Sequence, residues 1–266
     1  MADFSQWWWQ AAAVDPGPGP GPGPDPGDPI GQSLRFRGAK MLGPSVSSST
    51  YTVSFWVKEP MEAIGYYFNV GEAVTTIGSN LNVNYNAASV AGQISLTNGG
   101  APLSTERYRD PGAWYHHVLN FDGSTIGYWI NGERVNSLAG NAGSPHNGPF
   151  CINGTPATPT GSCHVATYAV WYYIDGQALE PTAFGRYNTA GVWVPVNYSG
   201  TYGTNGFHLD FADPSNLGKD ISGNGNDFTA TGFETVDTSS PDYDLMQDSP
   251  TQNWATLNPL TETPSI

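Results

Sequence analysis

Residues 114–135, WYHHVLNFDGSTIGYWINGERV, leave this chain few folding options. β-branched and aromatic residues flank Asp122-Gly123, and a second turn pair, Asn131-Gly132, follows. Asp-Gly and Asn-Gly supply the positive φ that tight hairpin turns require, so the segment is predicted to form three short antiparallel strands. YTVSFWVK (51–58) alternates Val53, Phe55 and Val57 against Thr52, Ser54 and Trp56. Strands are therefore expected at about 51–58, 114–121, 125–131, 165–174 and 205–211.

Composition extends this pattern to the rest of the chain. There are 33 Gly and 22 Pro among 266 residues, and aromatic residues (13%) outnumber charged ones (12%). Such a balance suits many short strands joined by tight turns, and no amphipathic helix of ten residues is found. The net charge of −14 excludes a phosphate-neutralising surface, so nucleic-acid binding is not expected, nor is docking to anionic lipid. No apolar run approaches the roughly 20 residues of a membrane span. The first residues lack both a basic n-region and an apolar h-region, so synthesis in a cytosol is expected.

Four regions separate along the chain. Residues 1–14 form an aromatic, Ala-rich tip carrying Phe4, Trp7, Trp8 and Trp9. Residues 15–29 contain only Asp, Pro and Gly, a spacer that buries almost nothing and reaches about 40–45 Å if extended. Residues 30–240 carry the β pattern, and 241–266 are read as a polar, Pro-interrupted tail lying extended on the surface. Cys151 and Cys163 flank a Pro/Gly/Thr loop, where they form either a disulfide made after release into an oxidising medium or two thiols.

SLRF, YTVSFWVK and WYHHVLNFDGSTIGYWINGERV together resemble the laminin-G/concanavalin A-like family. The resemblance implies an all-β, antiparallel jelly-roll sandwich with an extended N-terminal anchor arm. YIDGQALEPTAFGRYNTAGVWVPVNYSGTYGTNGFHLDF, DISGNGNDF and DSPTQNWATLNPL, between about residues 172 and 260, resemble a group of tailed-bacteriophage structural proteins. In many laminin-G-like domains an SGNGN block precedes the S-L-x-F strand. Here it follows, which implies a circularly rearranged sandwich in which Phe207–Phe211 replaces an early strand, or else an independent turn sequence.

Relatives of this fold include glucanases, which hold two carboxylates about 5 Å apart in a cleft. Glu59, Glu62, Glu106, Glu133, Glu180 and Glu234 stand alone, with no acidic residue two positions on, so hydrolysis is not expected. His116 and His117 are neighbours on a strand and point to opposite faces, which rules out a shared ligand. Asp220, Ser222 and Asn224 imitate the start of a calcium loop, with Asp227 nearby, but Thr231 stands where a bidentate Glu would close it. Turn geometry is the favoured alternative, and no cofactor is expected. Trp193, Tyr198 and Tyr202 are candidate glycan-contacting aromatics.

The phage resemblance implies a non-enzymatic virion structural protein, displayed on the particle surface as a capsid decoration, head fibre or tail-fibre component. Its partners would be phage capsid or tail proteins, gripped by Phe4, Trp7, Trp8 and Trp9, and its state a homotrimer by analogy with surface appendages. The alternative is a glycan-binding receptor module that uses the jelly-roll loops on host-surface sugars.

Overall fold

The computed structural model describes residues 30–58, 65–71, 81–85, 94–96, 108, 110–139, 146–157, 163, 165–233, 244–246 and 248–252. Phe4, Trp7, Trp8, Trp9, the Pro/Gly spacer and residues 253–266 lie outside them. The described chain runs β1 (Ser33–Arg37), β2 (Lys40–Ser48), β3 (Tyr51–Lys58), β4 (Gly65–Val70), β5 (Leu81–Tyr85), β6 (Ile94–Leu96), β7 (Tyr115–Phe121) and β8 (Thr125–Ile130). It continues through β9 (Glu133–Ala139), β10 (His146–Ile152), β11 (Val165–Asp175), β12 (Gly185–Tyr187), β13 (Trp193–Pro195), β14 (Phe207–Leu209), β15 (Thr229–Thr231) and β16 (Leu245–Met246). Two single 3-10 turns, Pro181–Ala183 and Pro250–Gln252, are the helical elements among these residues.

The predicted hairpins form where their turn residues stand. Gly123 (φ 96°), Asn131 (φ 50°) and Gly132 (φ 82°) take up the left-handed backbone that the two turns require. β7, β8 and β9 follow as antiparallel neighbours. Strands pair into a larger sheet in the order β16-β1-β11-β3-β7-β8-β9 and a smaller one in the order β15-β2-β10-β4-β5-β6. β14 also pairs β11, on the flank opposite β3 and in line with β1. The architecture is the concanavalin A-like antiparallel jelly-roll sandwich.

The facing sides of the sheets enclose an aromatic core. Phe55 stacks on Trp171 at a centroid distance of 4.1 Å and on His117 at 5.0 Å, so one β3 ring is held from both neighbouring strands. A bulge between Tyr168 and Val170 sets the phase of β11. Alternation alone would turn Val170 and Tyr172 inward after Ala166 and Tyr168. The extra residue resets it, so Trp171 and Tyr173 enter the core while Val170 and Tyr172 face outward.

The described part of the C-terminal segment is built into the sandwich. Leu245–Met246 pairs with β1, and the buried Asp244 carboxylate accepts from Arg37 Nε at 3.0 Å, with Arg35 Nε at 3.8 Å. Thr251 Oγ1 donates to the carbonyl of Ile30 at 2.7 Å, bringing the two ends of the described chain together.

Candidate functional site

Outward-facing residues of the larger sheet make a second apolar surface from Trp56, Val118, Trp129, Val170, Tyr172 and Ile174. A surface of that kind is not stable in water and calls for a cover. The chain from Gly176 to Gly203 supplies it. Thr52, an outward polar residue of β3, anchors the first stretch by donating to Gln177 O and accepting from Leu179 N, both at 2.8 Å. Asn120 Nδ2 holds Leu179 O at 2.9 Å. Phe184 is fully packed against Tyr172 and Tyr198.

Trp193, on the β12–β13 hairpin, occupies a slot that two glycines create. A Cβ at Gly132 would lie 2.6 Å from its ring, and one at Gly185 would lie 2.5 Å away. The indole Nε1–H donates to His116 Nδ1 at 3.0 Å. Tyr187, its cross-strand partner, stands edge-on to Trp193 at 4.9 Å and is 49% exposed. The Tyr187 hydroxyl donates to Glu133 Oε1 at 2.7 Å. The hairpin tip is preset by Asn188, whose Oδ1 accepts from Ala190 N and Val192 N, and Val192 beside it is 51% exposed. Next to Glu133 in the chain, the Arg134 guanidinium lies 5.2 Å above the ring of Trp129. The result is an exposed aromatic and aliphatic lip flanked by a carboxylate and a guanidinium, on a rigidly packed base.

The buried histidines serve this base. His116 points outward and stacks on Trp56, while His117 points into the main core, as alternation predicts. Burial pushes both down to about 3, with the neighbouring His117 adding to the effect on His116. Ser54 Oγ lies 2.8 Å from His116 Nε2, but both groups are fully enclosed, and the pair is no nucleophile–base couple open to substrate.

The other residues singled out in the sequence fall elsewhere. Tyr198 and Tyr202 pack edge-on to each other inside the cover, their hydroxyls bound to Thr201 O and His208 Nδ1. Trp193 is committed to its slot, and only its Tyr187 side borders the lip. Tyr187 was not singled out in the sequence; the Asn-Thr-Ala-Gly turn beside it was the one signal of an exposed tip.

Asp220 lies in a turn network, its carboxylate accepting from the amides of His208, Ser222 and Asn226 and from the Ser222 hydroxyl. Asp227 Oδ1 accepts from Asp220 N, and Asn224 Nδ2 ties the loop to Gly203 O and Gly206 O. Carboxylate lone pairs already facing N–H groups suit a turn, and no His/Cys/Asp/Glu cluster able to hold a metal occurs among the described residues. Cys151 is buried and Cys163 half-buried, both with free thiols in this structure, and burial raises Cys151 to about 12. Of the isolated glutamates, Glu133 and Glu180 fall within the described residues, and Glu180 is an exposed residue preceding a 3-10 turn.

The fold is a concanavalin A-like β-sandwich that carries this aromatic lip. Residues 38–165 match the family described as the concanavalin A-like lectin/glucanases superfamily. A protein described as carbohydrate-binding, from Bacteroides ovatus, superposes with a TM-score of 0.54 and 12% identity, over 76% of this chain and 58% of that one. This chain thus spans little more than half the length of that structure. A native heptameric SAP-like pentraxin from Limulus polyphemus gives a TM-score of 0.38 at 16% identity, over 57% of this chain and 72% of that one. Domain 4 of an extracellular arabinanase from Geobacillus stearothermophilus gives 0.37 at 20% identity, over 52% and 65%. No curated protein matches the sequence.

Proposed function

We propose that this chain is a non-enzymatic glycan-recognition domain displayed on the surface of a tailed-phage particle. The observation that carries the recognition half is the lip. Tyr187 leaves half of its surface in water while its hydroxyl is held by Glu133 and its ring is braced by Trp193. A rigid exposed ring beside fixed hydrogen-bonding groups fits the apolar face and hydroxyl rim of a pyranose, at little cost in side-chain entropy. The lectin-type fold supports the same reading. Screening the full chain against immobilised oligosaccharides tests it. Binding to a subset of sugars, lost in Tyr187→Ala with an unchanged melting temperature, is expected; binding to none would refute it.

The display half is supported by the phage-like sequence blocks, which include the cover segment itself, and by the aromatic tip. In this proposal Phe4 and Trp7–Trp9 dock on a capsid or tail protein, residues 15–29 act as a spacer, and three copies assemble on the virion surface without a cofactor. Well-buried Trp rings contribute about 2 kcal/mol or more each at such anchors. Replacing all three tryptophans by Ala should abolish incorporation into particles and leave the domain's melting temperature unchanged. Normal incorporation would move attachment to the β-domain.

A further inference from the structure

Seven cationic side chains fall within the described residues, and five of them are committed. Arg35 and Arg37 hold Asp244, Lys58 holds Asp248, and Lys219 holds Asp213. Lys40 Nζ donates to the carbonyls of Thr155 and Pro156. Arg134 and Arg186 have no carboxylate partner among the described residues. Arg186 precedes Tyr187 on β12 and so points to the opposite face of that strand, whereas Arg134 stands opposite Trp129 on the outward face of the larger sheet. In a chain of net charge −14, carboxylates are plentiful, and a guanidinium on that face without a carboxylate partner among the described residues needs an explanation.

Arg134 is also oriented. Its guanidinium lies over the indole of Trp129, a ring that is only 5% exposed and rests on Gly127. A guanidinium seated on a ring spends its face on the π-system, while its N–H donors project along its own plane and stay available. Glu133 does not satisfy them, because its Oε1 is turned to the Tyr187 hydroxyl. Arg134 stands across from Trp129 in the β8–β9 ladder, on the outward face against which Trp193 packs, and Tyr187 is the cross-strand partner of Trp193, so fork and ring belong to the same side of the sheet. The lip therefore offers three complementary features: an apolar platform from Tyr187 and Val192, a carboxylate with lone pairs left for hydroxyl groups, and a preset two-pronged donor.

We infer that the ligand of this lip is an acidic glycan, whose carboxylated pyranose binds Arg134 through its carboxylate and Tyr187 through its apolar face. This rests on the reading of the lip as a glycan site. A carboxylate matches the planar fork of Arg134 as a bidentate acceptor, which a neutral sugar lacks. Selectivity has a second source. The acidic surface repels anions generally, so an acidic glycan binds only where Arg134 offsets that field.

The test uses the full chain and paired probes: uronate- and sialate-terminated oligosaccharides, and the same oligosaccharides with their carboxylates reduced to alcohols. The acidic probes should bind, more weakly as salt rises, and reduction should weaken binding on the order of ten- to a hundredfold. Arg134→Gln should erase the difference between paired probes without shifting the melting temperature. Arg134→Lys, which keeps the charge and loses the fork, should retain part of it and covers the case in which the Gln variant does not fold. Equal binding of acidic and reduced probes, or an undiminished preference in Arg134→Gln, would overturn the acidic-ligand inference while leaving the glycan reading intact. Failure of the wild-type chain to bind any oligosaccharide in the broad screen would overturn both.

Discussion

The indole nitrogen of Trp193 donates to Nδ1 of His116 at 3.0 Å, and that one bond settles the protonation of a fully buried imidazole. An indole N–H can only donate, so His116 Nδ1 must be bare and its proton must sit on Nε2, directed at Ser54 Oγ 2.8 Å away. The cover over the larger sheet is thus latched to the sheet by a neutral histidine. Trp193→Phe keeps most of the ring in its slot and removes the donor, leaving a buried acceptor unpaired. The expected loss is about 1–3 kcal/mol in urea unfolding, together with a shift of the His116 ring nitrogens in NMR. Unchanged stability would mean that the cover is held by packing alone.

The slot itself can be tested apart from the latch. Gly132 and Gly176 have nearly the same positive φ, 82° and 83°, but a Cβ on Gly132 would strike the Trp193 ring at 2.6 Å while one on Gly176 meets nothing within 4 Å. Gly176→Ala should therefore cost only the left-handed conformation, about 1–2 kcal/mol. Gly132→Ala should cost that amount plus about 1–3 kcal/mol of overpacking, and, under the glycan-recognition proposal, should also weaken glycan binding by displacing Tyr187 with Trp193. Equal stability losses in the two variants would show that the indole relaxes away freely.

Much of this fold was legible because local rules and tertiary packing agree. β3, β7 and β8 alternate cleanly, and their Asp-Gly and Asn-Gly turns demand hairpins, so the structure places them where the sequence pattern does. The bulge in β11 was not legible, since nothing in VATYAVWYYID marks which residue is extra. The aromatic surplus was visible, but its use was not. Trp56, Trp114, Trp129, Tyr172 and Phe184 fill a second core under the cover, so they do not constitute a free interface. Tyr187 looks no different in sequence from Tyr198 or Tyr202. Its exposure depends on where an irregular hairpin lands on the sheet, and no short-range periodicity encodes that.

Acid should loosen the sandwich through its histidines. His116 and His117 are held at about 3, and His208 at about 4, chiefly by burial, against about 6.5 in the unfolded chain. Above pH 6.5 they are neutral in both states and cost nothing. Between roughly 6.5 and 3 the unfolded chain binds protons that the folded chain refuses, so stability falls as pH falls, at about 1.4 kcal/mol per unit for each such histidine. Chemical denaturation at pH 7, 6, 5 and 4 should show this decline. His117→Phe, which keeps a ring against Phe55, should reduce the slope by about one proton; an unchanged slope would assign the acid sensitivity to other groups.

The C-terminal edge offers the last test. Asp244 is 2% exposed and receives Arg37 at 3.0 Å, while its own carbonyl accepts from Arg35 N at 2.7 Å, so one residue fixes β16 to β1 through side chain and backbone together. Removing one partner of a buried ion pair leaves the other charge uncompensated, which typically costs 3–5 kcal/mol where both are enclosed. Here the Arg37 side chain is 33% exposed and water can solvate it, so Asp244→Asn should cost less, about 1–3 kcal/mol. Arg37→Gln instead removes the closer partner of the buried carboxylate, leaving the longer Arg35 Nε contact of 3.8 Å, and should cost more than Asp244→Asn, because Asp244 is the enclosed member. Adding salt should narrow the gap only slightly, since the carboxylate is shielded from solvent ions. Urea unfolding of the two variants at low and high salt measures both effects. Equal, small losses for the two would mean that the C-terminal strand is held by its backbone bonds and that the ion pair contributes nothing to the sandwich.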